Sequence, residues 1–501
     1  MHARTRGVLA ALVICAGLLL VGGAGTSVAA NGRLDLSTRV AIDNYLLSAG
    51  VDPATVVRQK GKLNYAGPNC PGARWNCTKA KKVVQVAQPG GENRFECRRE
   101  ADQVPPTDPD TNMCVLVQTG NTNRAQCSMR DTEEPLAVQT CVIGQMGVRN
   151  FAAVDLVIIQ TTGPEQEGQQ TATVDQLAEV RNESQIREEL TQRTSMGTEQ
   201  TQDGFQVAEV QQFATGSDNF SHVHQSQDQS EGGDATSQFQ NTNPIPAAAF
   251  NCGAEKPTDP NQCADVLQNS FVGGNNASHL HQAIAEDQTT SAMSASQTQG
   301  SFAGGQEGNI HQTNPPDVGK NLDAAHEDLG QRQSGPESTA QSQLTDPGCC
   351  GLSQVGGANN REDINQSTAQ SASEGTAAFQ FAELFGQAHQ TSGDIDLTAQ
   401  PTQLGASDGT CSIDHHGRNN SDAAHFSVSG SGAECTNLTL DTVCASGSET
   451  SGTCEPGGID LLSFTSRPAV LSEPMSATYG LPIEMPTFAE PADYLAAIGS
   501  G

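Results

Sequence analysis

Large side chains are scarce in this 501-residue chain: 4% of it is aromatic, with one Trp (Trp75) and four Tyr, and only 35% is hydrophobic. Such a chain cannot build ordinary cores along its whole length. Either much of it is disordered, as low hydrophobicity with high net charge usually implies, or its interior is made of small and amide side chains, as in repetitive β structures. Positive charge is scarce too, with 26 Lys+Arg against 57 Asp+Glu and a net charge of −31. The imbalance is segregated: residues 31–100 carry a net +6, residues 101–501 a net −39. An acidic body argues against nucleic acid as a partner. The basic segment suits an anionic cell-surface polymer or the acidic body of a neighbouring copy. Past residue 30 no apolar run reaches membrane-spanning length. There is no CxxC pair, GxSxG, HExxH, P-loop or dinucleotide fingerprint. The expectation is therefore no catalytic residues, no cofactor and no assigned metal ligands.

The first 30 residues have the order of a secretory signal peptide: a basic start (Arg4, Arg6), an apolar run from Val8 to Val21, and a small-residue end at Val28-Ala29-Ala30. The expectation is cleavage there, a secreted, extracellular or cell-surface protein, and no membrane span afterwards. Of 15 Cys, Cys15 goes with the leader, leaving an even 14. An even count in an exported protein points to disulfides. Local pairing such as Cys252 with Cys263 is expected, while the adjacent Cys349-Cys350 suits two bridges to different partners; the overall connectivity stays open.

Residues 31–115 read as a small, basic, partly helical, cysteine-containing domain. Ser37 or Thr38 can cap a helix whose apolar positions Ile42, Tyr45, Leu46 and Ala49 follow helical spacing, with Gly50 ending it. Asp52-Pro53 offers a second cap and first-turn pair, and Val83–Val86 a short strand. The Pro- and Asp-rich stretch from Gln103 to Asn112 reads as a linker. Residues 116–455 are dominated by Gln, Asn, Ser, Thr, Gly and Ala. Residues 456–501 form a Pro-rich tail or cap.

Within 116–455 a Gly-x-x-Asn unit recurs at Gly120/Asn123, Gly147/Asn150, Gly216/Asn219, Gly273/Asn276, Gly357/Asn360 and Gly417/Asn420. Three copies place Gln six residues after the Asn: Gln225, Gln282 and Gln366. Residues 210–225 and 267–282 align at an offset of 57 and share Ser-His-[Val/Leu]-His-Gln. The unit reads as strand, tight turn, strand. Gly supplies a positive φ for the turn, Asn tolerates the left-handed region, and Asn shares a face with the Ala or Ser two residues on. Stacked units would place Gln over Gln and Asn over Asn, each amide bonding its copies above and below.

These residues resemble the curlin repeat of secreted bacterial amyloid subunits, Ser-x5-Gln-x-Gly-x-x-Asn-x-Ala-x3-Gln. Gln118–Ala125 and Gln145–Ala152 match its first half; Gly216–Gln225 and Gly273–Gln282 match its second, with Ser for Ala. The resemblance implies a mainly β fold, an irregular β-solenoid with Gln/Asn ladders, and a non-enzymatic structural or adhesive role in extracellular fibres or matrix, self-associating through the repeats. The alternative is a secreted carbohydrate-binding or carbohydrate-active β-helix. The Gly spacings of 27, 69, 57, 84 and 60 depart from the roughly 22-residue curlin period. Extra coils with degenerate motifs, such as Val180-Arg181-Asn182-Glu183-Ser184, or long loops fill the difference. His222/His224 and His279/His281 each put two imidazoles on one strand face, a Zn²⁺ or Cu²⁺ possibility weighed against ordinary polar surface.

Overall fold

The computed structural model describes residues 28–29, 33–99, 113–132, 136–216, 218–241, 261–300, 306–336, 339–345, 350–373, 377–390, 393–404, 408–419, 424–428, 435–444 and 460–461. The expected signal peptide (but for Val28-Ala29), the 103–112 linker, Cys252, Cys349, Asn420 and nearly all of the 456–501 tail lie outside them. The protein is mainly β. A 21-stranded sheet takes in the strands from Val57 to Leu461, and every described pairing in it is parallel. No described helix is long and apolar enough to cross a membrane.

The sheet is built from long segments that each serve two neighbours. In the strand Glu165–Thr194, residues 165–178 pair with Glu199–Ala214 and residues 181–194 pair with Asp218–Glu231. Each turn of the chain thus contributes two limbs, and the limbs face each other. The Gln176 side chain on the first limb donates to the Glu183 carbonyl on the second at 3.0 Å, and Gln118 does the same to Arg124 at 3.1 Å. We call one such pair of limbs a tier.

Between the limbs lies a narrow apolar core. Leu116, Ile143, Val174, Val210, Val266, Ile310 and Leu352 follow one another in register on the first limb. Cys127, Val154, Ile186, Val223, Leu280, Ala325 and Ile364 do so on the second. All are buried in one continuous cluster. One to three small or aliphatic side chains per limb therefore suffice, which is how a chain with so few aromatics buries a core.

At the N-terminal end an α-helix, α1 (Arg39–Ser48), is capped by Thr38, whose Oγ1 accepts from the Ala41 N–H. Gly50 follows at φ 71°, a left-handed position that glycine fills without strain. Asp52 caps a short 3₁₀ turn, Pro53–Thr55. Ile42, Tyr45 and Leu46 pack on the outward faces of Val84, Val115, Val117 and Val142. The helix thus covers one flank of the first tiers. The compositional step near residue 115 is not a step in the hydrogen bonding, because Lys82–Arg99 pairs with Met113–Thr132 from Lys82↔Val115 to Arg99↔Met129. Three local disulfides, Cys70–Cys77, Cys97–Cys114 and Cys127–Cys141, bind this end together. Cys263 is also disulfide-bonded.

Candidate functional site

The most developed chemical feature is a set of buried amide columns. On the second limb, Asn64, Asn93, Asn123, Asn150, Asn182, Asn219, Asn276, Asn321 and Asn360 stack, each Nδ2 donating to the Oδ1 of the next at 2.8–3.1 Å. On the first limb, Gln59, Gln85, Gln118, Gln145, Gln176, Gln212, Gln268, Gln312 and Gln354 stack with the opposite polarity. There each Nε2 donates back to the preceding Oε1 at 2.7–3.1 Å. The second N–H of each amide goes to a main-chain carbonyl, for example Asn123 to Met146 and Gln145 to Phe151 at 3.0 Å each. Burying an amide is tolerable only when its polar atoms are paired, and a column pairs them by repetition.

The expected Asn123, Asn150, Asn219, Asn276 and Asn360 all belong to the Asn column. Asn182, from the degenerate motif at Val180–Ser184, joins it in the 69-residue gap of the Gly spacing, and the structure adds Asn321 in the 84-residue gap. Their tiers carry Glu179 or Val318 where the search required Gly, so the Gly-x-x-Asn pattern passes over Asn321. Because the Asn side chains are buried in β-strand, the Asn-x-Ser sequences at Asn182, Asn219 and Asn276 are explained by the column.

The reason for glycine differs from the expected one at several corners. Gly273 and Gly357 have positive φ (95° and 85°), but Gly120, Gly147 and Gly216 do not. Those glycines are needed for proximity. A Cβ on Gly147 would sit 2.0 Å from the Gly120 carbonyl oxygen, and one on Gly216 would sit 2.3 Å from that of Glu179. Nor do the column asparagines use the left-handed region: among described non-glycine residues only Asn241 and Ser294 have positive φ. Gly417 pairs with Ala388, in the register of Leu352 rather than at a corner.

Gln225, Gln282 and Gln366 share a further column, with carboxylates interleaved. Gln225 donates to Glu188 at 2.8 Å, Gln282 to Gln225 at 2.7 Å, and Gln366 to Glu327 at 2.6 Å. Elsewhere Glu286 accepts from Gln331 at 2.8 Å and from Asn241 at 2.7 Å, and Glu231 accepts from Gln288 at 2.8 Å. Burial pushes Glu231 up to about 9 and Glu286 up to about 7, against the donated hydrogen bonds. Burial likewise raises Glu188 well above the carboxylate range. Asp323 and Glu362 take the small-residue position two beyond the column Asn, lie in register, and are both raised by burial; the Asp323 charge adds to the shift of Glu362. A protonated carboxyl offers an O–H donor beside its carbonyl acceptor, one donor fewer than a glutamine, so these acids fit the columns in their neutral form.

Both columns have a built end. The short strand Asn76–Thr78 pairs with Asn64–Ala66. Asn76 Nδ2 donates to Asn64 Oδ1 at 3.3 Å, and the Asn76 carbonyl accepts from Gln59 Nε2 at 2.5 Å. One residue thus closes both amide columns, and the Cys70–Cys77 disulfide anchors it.

The His-x-His pairs lie on the outward face. His222 pairs with His279 and His224 with His281 in register, with ring centroids 4.9 Å apart in both cases. His326, opposite His281, extends the set, its ring 5.5 Å from that of His279. It stands alone in its segment, so the His-x-His spacing did not reveal it. Burial, then the neighbouring imidazoles, hold His222 down at about 4 and His224 at about 3. Among the described residues no three His, Cys, Asp or Glu side chains converge as a ready metal site.

No family model, curated protein or solved structure matches this chain.

Proposed function

We propose that the chain is a secreted, non-enzymatic structural or adhesive protein of the cell surface or extracellular matrix, built as an irregular β-solenoid of curlin-like design. The observation that carries this reading is the pair of amide columns running without a break from Asn64 to Asn360 and from Gln59 to Gln354. Such ladders give a repetitive chain a single register and great persistence, properties suited to a scaffold. The Asn76 closure makes the N-terminal end a poor template, so self-association proceeds from the opposite end. Outward, Arg94 stacks on Trp75 and Arg124 on Phe151, at 5.1 and 5.0 Å. Guanidinium groups beside aromatic rings suit an anionic surface polymer as the adhesive partner.

The test is thioflavin T fluorescence of oxidised residues 31–501 during quiescent incubation. A sigmoidal rise, lost when Gln225, Gln282 and Gln366 are replaced by Ala, is expected of a self-associating scaffold. A flat trace from soluble, β-rich protein would remove the fibre role.

A further inference from the structure

On the outward histidine face two imidazole nitrogens, His224 Nδ1 and His281 Nδ1, lie 3.0 Å apart. Two ring nitrogens at that distance cannot both carry protons. One donates and the other presents its lone pair. The geometry beyond them says which is which. The other nitrogen of His281, Nε2, lies 3.4 Å from Asp328 Oδ2, and a carboxylate there accepts the hydrogen bond of a protonated Nε2. His281 is thereby held with its Nδ1 lone pair aimed at His224, the carboxylate–imidazole arrangement that orients metal-bound histidines.

Asp328 is itself fixed. It accepts from Ser367 on the next tier. Arg187, which lies in register with His224 on the tier before, is occupied by Asp155 and Glu189. The site is open to solvent, since the side chains of His281 and Asp328 are 27% and 34% exposed.

We propose that His224 and His281 form a bis-imidazole site for Cu²⁺, with Asp328 as the residue that positions His281 and with solvent completing the coordination. For metal–nitrogen bonds of about 2.1 Å, two ligands at a right angle stand roughly 3.0 Å apart, whereas tetrahedral ligands stand roughly 3.4 Å apart. The 3.0 Å of the free pair is a hydrogen-bond length; it already equals the separation that the right-angled, tetragonal geometry preferred by Cu²⁺ requires, so the rings need only turn their lone pairs toward the ion. The metal displaces the His224 Nδ1 proton, which moves through solvent to His224 Nε2, so both rings stay neutral and both Nδ1 lone pairs turn off the N···N line toward the ion. The second histidine of each repeat, at an offset of 57 residues, then has a purpose that surface polarity alone does not supply.

The test is titration of the full oxidised chain, residues 31–501, with Cu²⁺ against a chromophoric chelator, together with electron paramagnetic resonance of the complex. One Cu²⁺ per chain with hyperfine coupling to two nitrogens is expected. Either His224→Ala or His281→Ala should reduce the coupling to one nitrogen and abolish competitive binding. Asp328→Asn should weaken binding about tenfold while keeping both nitrogens. His311→Ala, outside this pair, should change nothing. Far-UV circular dichroism checks each variant's fold, and His224→Asn and His281→Asn replace the alanines where these disturb it. An unchanged two-nitrogen signal in the His224 and His281 variants, or no Cu²⁺ held against the chelator, would overturn the proposal.

Discussion

A single column glutamine answers to three partners. Gln145 donates to Gln118 Oε1 and to the Phe151 carbonyl and accepts from Gln176 Nε2. Gln145→Ala strands all three in a dry interior, and an unpaired buried polar group costs about 1–3 kcal/mol. We expect a loss of about 3 kcal/mol or more by urea denaturation, against near-neutrality for an exposed Gln. Glu286 gives the column a pH dependence whose sign is fixed by its environment. Its folded value, about 7, lies above the ordinary 4.5 because of burial. The stability it contributes is therefore complete below about pH 4.5 and lost as pH rises through 7. Glu286→Gln should leave the melting temperature unchanged at pH 4 and raise it progressively between about pH 4.5 and 7, with a constant gain above that. Glu231, held up at about 9, extends the same loss to more alkaline pH. A melting temperature of Glu286→Gln that tracks the wild type from pH 4 to pH 9 would show that Glu286 is solvated or paired otherwise.

At the scale of the element, the decisive piece is a strand of three residues, Asn76–Thr78. It pairs with the last three of the ten residues of the terminal strand Val57–Ala66, satisfying the last Asn and Gln of both columns, and an exposed strand edge is a template for pairing. Cys70→Ser with Cys77→Ser removes its tether. That variant should seed thioflavin T-positive assembly faster than the wild type at equal concentration, and an unchanged lag would mean the closure holds without its disulfide. Much at this scale was legible in advance. The helix with its Thr38 cap, the Val83–Val86 strand and the stacking of Asn123, Asn150, Asn219 and Asn276 follow from spacing and side-chain chemistry. What was not legible has physical reasons. The glycine motif stood in for two needs, positive φ at Gly273 and close approach at Gly147, and only the second matters at most corners. The Asn321 tier carries its corner glycine one position later, Gly319 at φ 80°, and so hid from the Gly-x-x-Asn pattern, while the Asn182 tier has Glu179 there and showed only as a degenerate motif. The continuous apolar columns were missed because one to three small or aliphatic side chains per limb are too sparse to form a run.

On the scale of the whole molecule, the irregular period is what a stack permits. Successive column asparagines are separated by 27, 32, 37, 57, 45 and 39 residues from Asn123 to Asn360. Yet each contributes one rung to the same column, the differences being absorbed by excursions between the paired limbs. Each tier touches chiefly its two neighbours, so stability approximates a sum over tiers and interfaces. This has a sharp consequence for deletions. Removing residues 219–275 joins Asp218 to Asn276 and takes out one whole tier. Asn276 would then stack on Asn182, Gln306 on Gln206 and Gln312 on Gln212, partners related through the deleted rung in the intact protein. The shortened chain should keep its β-sheet circular dichroism and unfold cooperatively, while losing the His224 half of the histidine pair. Removing residues 219–246 instead takes out the second limb and leaves the next first limb paired with Gln206–Ala214, so one limb has no partner across the core and Asn276 loses its rung; it should cost the cooperative transition. If both deletions unfold alike, the tiers are not interchangeable rungs and the additive picture of the stack fails.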